Sequence, residues 1–275
     1  MDLTSLCQPD RLKSCGACCG LYNHRDWQRP SLEARLTRRT ERLRALGPLD
    51  PGVLREFADW VRATEPQEKL LETIYNCEYL GFVDPGQRRV GCLLHPNLHA
   101  GHDLRSCSFY GAELCAGHFC LSYQKLTDEE KACVILSLDD WYTYGLCIPD
   151  VDLCKSFFVH AGILLGRQPT LSMLSCPGVQ QAARDFFSLK VSWPFRSPDH
   201  GRFGKYCLAE DEYREARIPY AEIGCERSRY DAIFLSLASH FPSAEVLREA
   251  EGLLENRIGS FVKACEESIE IKLLA

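Results

Sequence analysis

The chain has 275 residues, of which 45% are hydrophobic and 25% charged, and its formal net charge is −6. These values are typical of a folded globular protein and exclude a disordered or fibrous chain. No apolar run approaches the roughly 20 residues that span a bilayer, and no secretory signal is visible, so we expect a cytoplasmic protein without a membrane segment. The exceptional value is 16 cysteines, which in a reducing compartment indicate metal ligands or buried thiols rather than disulfides.

The first cysteine patch comprises Cys7 and the run Cys15-Gly16-Ala17-Cys18-Cys19. A C-x-x-C loop lets two sulfurs reach one ion, and a glycine between them tolerates the backbone angles that such a turn requires. A redox dithiol is disfavoured because no strand pattern precedes Cys15. Neighbouring side chains point in different directions, so Cys18 and Cys19 do not easily serve one tetrahedral ion. We infer that they face two metals or two corners of a cluster, the alternative being that one of them only packs.

Residues of about 30–75 are predicted to form a helical insertion. Ser31 is a candidate N-cap for a helix that ends near Leu46, and Asp50 before Pro51 is typical of a second helix start. An arginine-rich face lies in the first of these helices, at Arg35, Arg38, Arg39, Arg42 and Arg44. Because nucleic-acid affinity depends on phosphate neutralisation and the protein is acidic, we expect a solvated helix face that pairs with acids elsewhere, and no nucleic-acid partner.

The second cysteine patch is rich in glycine and proline and contains Cys77, Cys92, Cys107, Cys115 and Cys120. This stretch has too little regular structure to be held by helix packing, and metal–thiolate bonds supply folding free energy directly. The two patches together provide nine thiols. That number is enough for two four-thiolate sites with one thiol left over, or for a four-cysteine iron–sulfur cluster plus a zinc ion. Secondary ligand candidates, each more typical of a surface or capping residue, are His95, His99, His102 and His118.

After Cys120 the pattern is helical, and its dispersed cysteines are typical of buried, inert thiols. Helix starts are predicted at Thr127, at Asp150 or Asp152, and at Pro177, followed by helices at about Tyr230–Ser239 and Ser243–Glu270. The aromatic loop Trp193–Gly204 favours a packed crossover held by Trp193 and Phe195. The alternative is an anion-binding loop that uses Arg196, His200 and Arg202, and Cys207 and Cys225 are further cysteines without a recognisable ligand spacing.

The fold class expected from these patterns is mainly α with irregular, metal-stapled loops. Residues 1–126 form a cysteine-rich metal-binding region that contains the helical insertion. Residues 127–275 form a helical region, expected to pack on the first as one unit.

The cysteine motifs resemble those of the YkgJ-type cysteine-cluster family, a zinc- or iron-chelating domain. The resemblance covers about residues 7–120 and lies in Cys15-Gly16-Ala17-Cys18-Cys19, Cys77-Glu78-Tyr79-Leu80, Cys92-Leu93-Leu94-His95-Pro96, Cys107 and a closing cysteine at 115 or 120. The chain departs from the family at Cys107-Ser108, at His95-Pro96 and in the spacing of Cys7 from Cys15. The resemblance implies a bound zinc ion or iron–sulfur cluster. The family includes a flagellin lysine N-methylase, but this sequence has neither a G-x-G-x-x-G nucleotide loop nor a radical S-adenosylmethionine motif.

The leading functional hypothesis is a cytoplasmic metal-binding protein with a thiolate-coordinated iron–sulfur cluster or Zn²⁺. One alternative is an iron–sulfur-dependent oxidoreductase or methylase-like enzyme with a pocket in the helical half. Another is a metal-handling or partner-docking module, with the protein partner unidentified. The predicted ligands are Cys7, Cys15, Cys18, Cys19, Cys77, Cys92, Cys107, Cys115 and Cys120.

Overall fold

The computed structural model describes residues 5–197, 206–209 and 212–274, and the side chains of 5–197 and 216–269. It is mainly helical, with 57% helix and 4% strand, which confirms the predicted mainly α class, while the metal-stapled loops stay a prediction. The chain divides into two compact units. We call Thr4–Cys120 with Asp140–Gly145 the thiol unit, and Leu121–Asp139 with Leu146–Ala275 the helical unit. The predicted division after residue 126 stays a prediction.

Helices and strands are numbered in chain order. The helices are α1 (Arg29–Ala45), α2 (Pro51–Thr64), α3 (Gly111–Gly117), α4 (Leu121–Lys125), α5 (Asp128–Ser137), α6 (Trp141–Cys147), α7 (Val151–Leu165), α8 (Leu171–Leu174), α9 (Pro177–Phe187), α10 (Leu189–Ser192), α11 (Asp231–Ser236) and α12 (Ala244–Leu274). The strands are β1 (Leu80–Phe82), β2 (Val90–Cys92), β3 (Tyr206–Ala209) and β4 (Glu212–Glu215), paired as two antiparallel hairpins. Within the described part of the chain, each helix is too short or too polar to cross a membrane.

The two long helices of the thiol unit begin differently from one another. α2 begins as predicted, because the Asp50 carboxylate accepts the N–H groups of Gly52 and Val53 at 2.7 and 3.0 Å. The predicted N-cap of α1, Ser31, is wrong: α1 begins at Arg29, and the Ser31 hydroxyl donates to Asp26 from within the first turn. A proline in the first turn, which needs no N–H partner there, allows this earlier start.

The arginine-rich face of α1 pairs with an acid elsewhere in the chain, as predicted, but the predicted solvated character is wrong because Arg35 and Arg39 are buried. Glu65 is fully buried and lies 2.5 Å from Arg35, 3.3 Å from Arg38 and 2.7 Å from Arg39. Burial alone would raise the pKa of Glu65, but the hydrogen bonds and charges of Arg39 and Arg35 lower it overall. Arg39 also donates to the carbonyl of Cys77 at 2.9 Å, so this buried cluster attaches a cysteine segment to α1.

The hairpin of β1 and β2 carries a second cysteine segment. Leu80 pairs with Cys92, and the N–H of Phe82 donates to the Thr40 hydroxyl of α1 at 2.7 Å. The hairpin therefore fixes Cys92 beside the chain that follows Cys77.

The helical unit has a conventional aromatic core. α5 begins with the predicted capping box between Thr127 and Glu130. Phe157 of α7 stacks on Phe186 of α9 at 4.2 Å and lies 4.7 Å from Phe261 of α12. The thiols of this unit that are buried, as predicted for packing cysteines, are Cys133, Cys147, Cys154 and Cys265. The prediction is wrong for Cys176 and Cys225, which are partly exposed.

The described start of the aromatic loop is packed, as predicted. The Trp193 indole donates to the Ser239 hydroxyl at 2.8 Å, and its ring lies 5.1 Å from that of Phe195. Arg196 donates to the carbonyl of Lys190 at 2.7 Å. His200, Arg202 and the side chain of Cys207 lie outside the described residues.

Candidate metal centre

The C-x-x-C-C run forms a tight turn. A 3₁₀ helix spans Ala17–Cys19, and the N–H of Cys19 donates to the carbonyl of Gly16 at 3.2 Å. The N–H of Ala17 lies 3.5 Å from the sulfur of Cys15 and donates to it. The turn ends at Gly20, whose φ of +81° favours glycine.

Gly20 also lets the chain before Cys77 come against this turn. A Cβ atom at residue 20 would lie 2.4 Å from the carbonyl oxygen of Tyr75, closer than any real contact. With that space free, the N–H of Cys77 donates to the carbonyl of Cys19 at 3.0 Å. The amide of Asn23 fixes the same segment by donating to the carbonyls of Leu71 and Ile74 at 3.0 and 3.1 Å. Two cysteine segments far apart in sequence are thus joined through their backbones.

One set of cysteines, which we call the first thiol group, contains Cys7, Cys15, Cys18 and Cys120. The N–H of Cys15 donates to the carbonyl of Cys7 at 2.9 Å. The pKa of Cys18 is raised first by a hydrogen bond with the Cys120 sulfur, then by partial desolvation and by the charges of Cys15, Cys120 and Cys7. The pKa of Cys15 is raised by burial and by Cys7 and Cys120. These mutual effects place the four thiols within reach of one another's charge.

A second set, the second thiol group, contains Cys19, Cys77, Cys92 and Cys115. Burial and then the charges of Cys77 and Cys92 raise the pKa of Cys19. Burial raises the pKa of Cys77 to about 12, and the charge of Cys92 adds to this rise. Burial raises the pKa of Cys92 to about 11, and the charge of Cys115 adds to that rise. A ninth thiol, Cys107, packs on the same apolar core as Cys19, Cys77 and Cys92.

Three of the sulfurs share a local hydrogen-bond pattern. Cys15 accepts the N–H of Ala17, two residues further on. In the same way the backbone N–H of Tyr79 bonds Cys77 and lowers its pKa, and that of Leu94 bonds Cys92. Such N–H bonds favour a negatively charged sulfur and tune thiolate–metal centres. Each of these bonds lowers the pKa of its sulfur, although burial leaves the pKa of Cys15, Cys77 and Cys92 raised overall.

The thiol unit also buries an ammonium group near the ring of a buried tyrosine. Lys13 is only 2% exposed, pairs with Asp10 at 2.5 Å and lies 5.9 Å from the centre of the Tyr144 ring. The pKa of Tyr144 is raised by burial and then by Cys15, Cys7 and Cys120, so this phenol adjoins the same sulfurs. Lys13 and Tyr144 were not anticipated, because a buried lysine has no sequence signal and Tyr144 lies in a segment that reads only as helix.

The candidate histidines are engaged by the backbone or lie at the surface. His95 accepts the N–H of Asn97 at 3.2 Å as a helix cap, and His99 bonds the carbonyl of Leu93 at 2.7 Å. His102 and His118 are exposed. Across residues with described side chains, no three His, Cys, Asp or Glu side chains are gathered in a metal-ligating arrangement. The fifteen cysteines with described side chains are free thiols.

Comparisons with known protein families, with curated proteins and with solved structures give no match to the chain. The relation to the YkgJ-type family therefore stays a prediction that rests on the cysteine motifs.

Proposed function

We propose that the thiol unit is a metal-binding module with two thiolate-coordinated centres, one at each thiol group. The observation that carries the proposal is the divergence of two adjacent cysteines. Cys18 bonds Cys120 in the first group. Cys19 accepts the N–H of Cys77 at its carbonyl and interacts first with Cys77 and Cys92 of the second group, and then more weakly with Cys7 of the first. A pair of neighbours that only packed would have no reason to meet separate sets of thiols.

The donor set fits both metals that the sequence favours. Four thiolates close a tetrahedral zinc site, and four cysteines also hold a [4Fe–4S] or [2Fe–2S] cluster. Within the thiol unit, Cys7, Cys15, Cys18 and Cys120 would hold one centre, and Cys19, Cys77, Cys92 and Cys115 the other. Cys107 is the additional thiol at the second.

The metal would serve first to organise the loops. In the metal-free protein, burial and the charges of neighbouring sulfurs raise the pKa of Cys15 and Cys19 and so keep these two thiols protonated. A bound cation offsets those charges and displaces one proton from each ligating thiol, so its binding free energy becomes folding free energy. We therefore expect metal affinity to rise with pH. A reducing compartment such as the cytoplasm would keep the thiols available.

Metal analysis of the full chain purified without oxygen tests the proposal. We expect either about two zinc ions per chain in a colourless protein, or iron with acid-labile sulfide in a brown protein. A folded protein that contains neither metal contradicts the proposal.

Separate serine variants test the two-centre arrangement. Cys18→Ser and Cys19→Ser are each expected to lower the metal content, with only one centre affected in each variant. Cys176→Ser is the matched control, because Cys176 is partly exposed in the helical unit and its sulfur contacts only the carbonyl of Ser172, at 3.8 Å. A Cys18→Ser or Cys19→Ser protein with full metal content shows that the replaced thiol only packs.

A further inference from the structure

A cavity of about 550 Å³ lies in the thiol unit against one face of α2. The helix lines it with Pro51, Arg55, Ala58 and Arg62, which recur at the spacing of one helical face. The opposite wall is the segment 106–109. Small-molecule sites usually measure about 300–1,000 Å³, so the volume suits a small ligand.

The two arginines of this cavity differ in their partners. Arg62 is engaged by two carboxylates, Asp59 and Glu78, each at 2.6 Å. Glu78 is itself buried and accepts the hydroxyl of Tyr75 at 2.5 Å, so its charge is already satisfied. Arg55 has no hydrogen-bond or ion-pair partner among the described side chains. The cavity therefore presents one uncommitted guanidinium, a group that binds carboxylate and phosphate oxygens in pairs.

An exposed aromatic ring forms part of the opposite wall. Phe109 stacks on Tyr75 at 4.2 Å, yet it is 69% exposed. With Pro51 and Ala58 it gives the cavity an apolar wall in addition to the charge of Arg55. A ligand with an anionic end and a flat apolar body would cover this surface.

The wall also contains the additional thiol of the unit. Cys107 lines the cavity and packs on the same core as Cys77 and Cys92 of the second thiol group. A ligand in the cavity would therefore lie beside that group.

We propose that this cavity binds a small organic anion, a carboxylate or phosphate ester with a planar apolar body. Arg55 binds the anionic group and Phe109 covers the apolar body. The inference goes beyond metal binding, because neither residue belongs to a thiol group.

Isothermal titration of phenyl phosphate into the metal-loaded full chain, at low salt in a phosphate-free buffer, tests the proposal. We expect a Kd of about 1 mM or below and weaker binding of inorganic phosphate, which lacks the ring. Arg55→Gln is expected to weaken binding about tenfold or more, as for loss of a hydrogen bond to a charged group. Phe109→Ala is expected to weaken it about three- to tenfold. Benzoate in a parallel titration distinguishes a carboxylate ligand from a phosphate ester.

Arg88→Gln is the matched control, because Arg88 is an exposed arginine of the same unit outside the cavity lining. The proposal is overturned if neither phenyl phosphate nor benzoate binds, or if Arg55→Gln and Arg88→Gln bind equally well. Metal content is measured on the same samples, so that failure of the cavity proposal can be told apart from failure of the metal proposal. If the ligand binds to a protein that contains no metal, the metal proposal fails and the cavity proposal stands.

Discussion

The two units use the same residue in opposite ways. In the helical unit Cys133 and Cys154 are completely buried in helices, and the Cys154 thiol donates to the carbonyl of Cys147 at 3.5 Å. In the thiol unit only Cys115 lies in an α-helix, and the other cysteines lie on turns, 3₁₀ helices or the strand β2, where most of them are only partly buried. Thiols raise one another's pKa in both units, as Cys147 does for Cys154 and Cys77 for Cys19. Thiols buried in packed helices behave as small apolar side chains. In the proposed function, the thiols that loops bring together in the thiol unit would lose their protons to a bound metal cation.

The strongest way to break this comparison is to remove the metal. Because structural zinc contributes about 10–16 kcal/mol in small metal-binding domains, chelation is expected to unfold the loops that carry the cysteines. Hydrogen exchange by mass spectrometry should show lost protection at residues 5–28 and 65–120, with α7, α9 and α12 still protected. Equal retention of protection in both units contradicts the assignment of metal to the thiol unit.

The next largest effect is expected from the buried ion cluster of α1. Glu65→Gln leaves Arg35 and Arg39, 8% and 3% exposed, without their carboxylate, and should destabilise the thiol unit by about 3–5 kcal/mol. Because the folded pKa of Glu65 is lowered, its contribution is present above the unfolded value of 4.5 and is lost as pH falls through the folded value. Denaturant unfolding of both proteins should therefore show a difference that shrinks below pH 4.5.

Glu33→Gln serves as the control for that variant. Glu33 pairs with Arg29 at the surface, where both side chains are more than 40% exposed, and exposed pairs contribute about 0–1 kcal/mol. If Glu65→Gln and Glu33→Gln lower the free energy of unfolding equally, the buried ion cluster contributes no more to stability than a surface ion pair.

A glycine substitution sharpens the geometric part of the comparison. Gly20→Ala puts a Cβ atom against the carbonyl of Tyr75 at a residue with φ of +81°, a strain of about 1–3 kcal/mol. It should push the Cys77 segment away from Cys19 and lower metal content at the second thiol group. Gly47→Ala, where an added Cβ meets no atom within 4 Å, should change neither stability nor metal content by much. Full metal content in Gly20→Ala argues against this contact as a determinant of the site.

The smallest effect is expected in the helical unit. Thr127→Ala removes the capping box of α5 and should cost about 1 kcal/mol. Metal content is expected to be unchanged, because the cap touches no thiol group. Loss of metal in Thr127→Ala would contradict the assignment of metal binding to the thiol unit alone.

Local signals in the sequence predicted local structure. Asp50 before Pro51 and the Thr127–Glu130 box gave correct helix starts, since a cap acts within one turn. The divergence of Cys18 and Cys19 also follows from local geometry, because adjacent side chains cannot point the same way.

No local pattern in the sequence indicates which distant residues meet in the fold. The path of the chain around α3 decides which thiol group Cys115 and Cys120 each join. In the structure Cys120 interacts with Cys18, and Cys115 interacts with Cys92. Glu65 lies 26 residues from Arg39 in sequence, so its partner was foreseen only as an acid elsewhere in the protein. Likewise, nothing in the helical pattern of the sequence indicated that Asp140–Gly145 belongs to the thiol unit.

X-ray absorption at the edge of whichever metal is purified with the full chain tests the central claim most directly. The account predicts a first coordination shell made of sulfur, about four atoms at roughly 2.3 Å for zinc. A first shell of nitrogen and oxygen alone would contradict it.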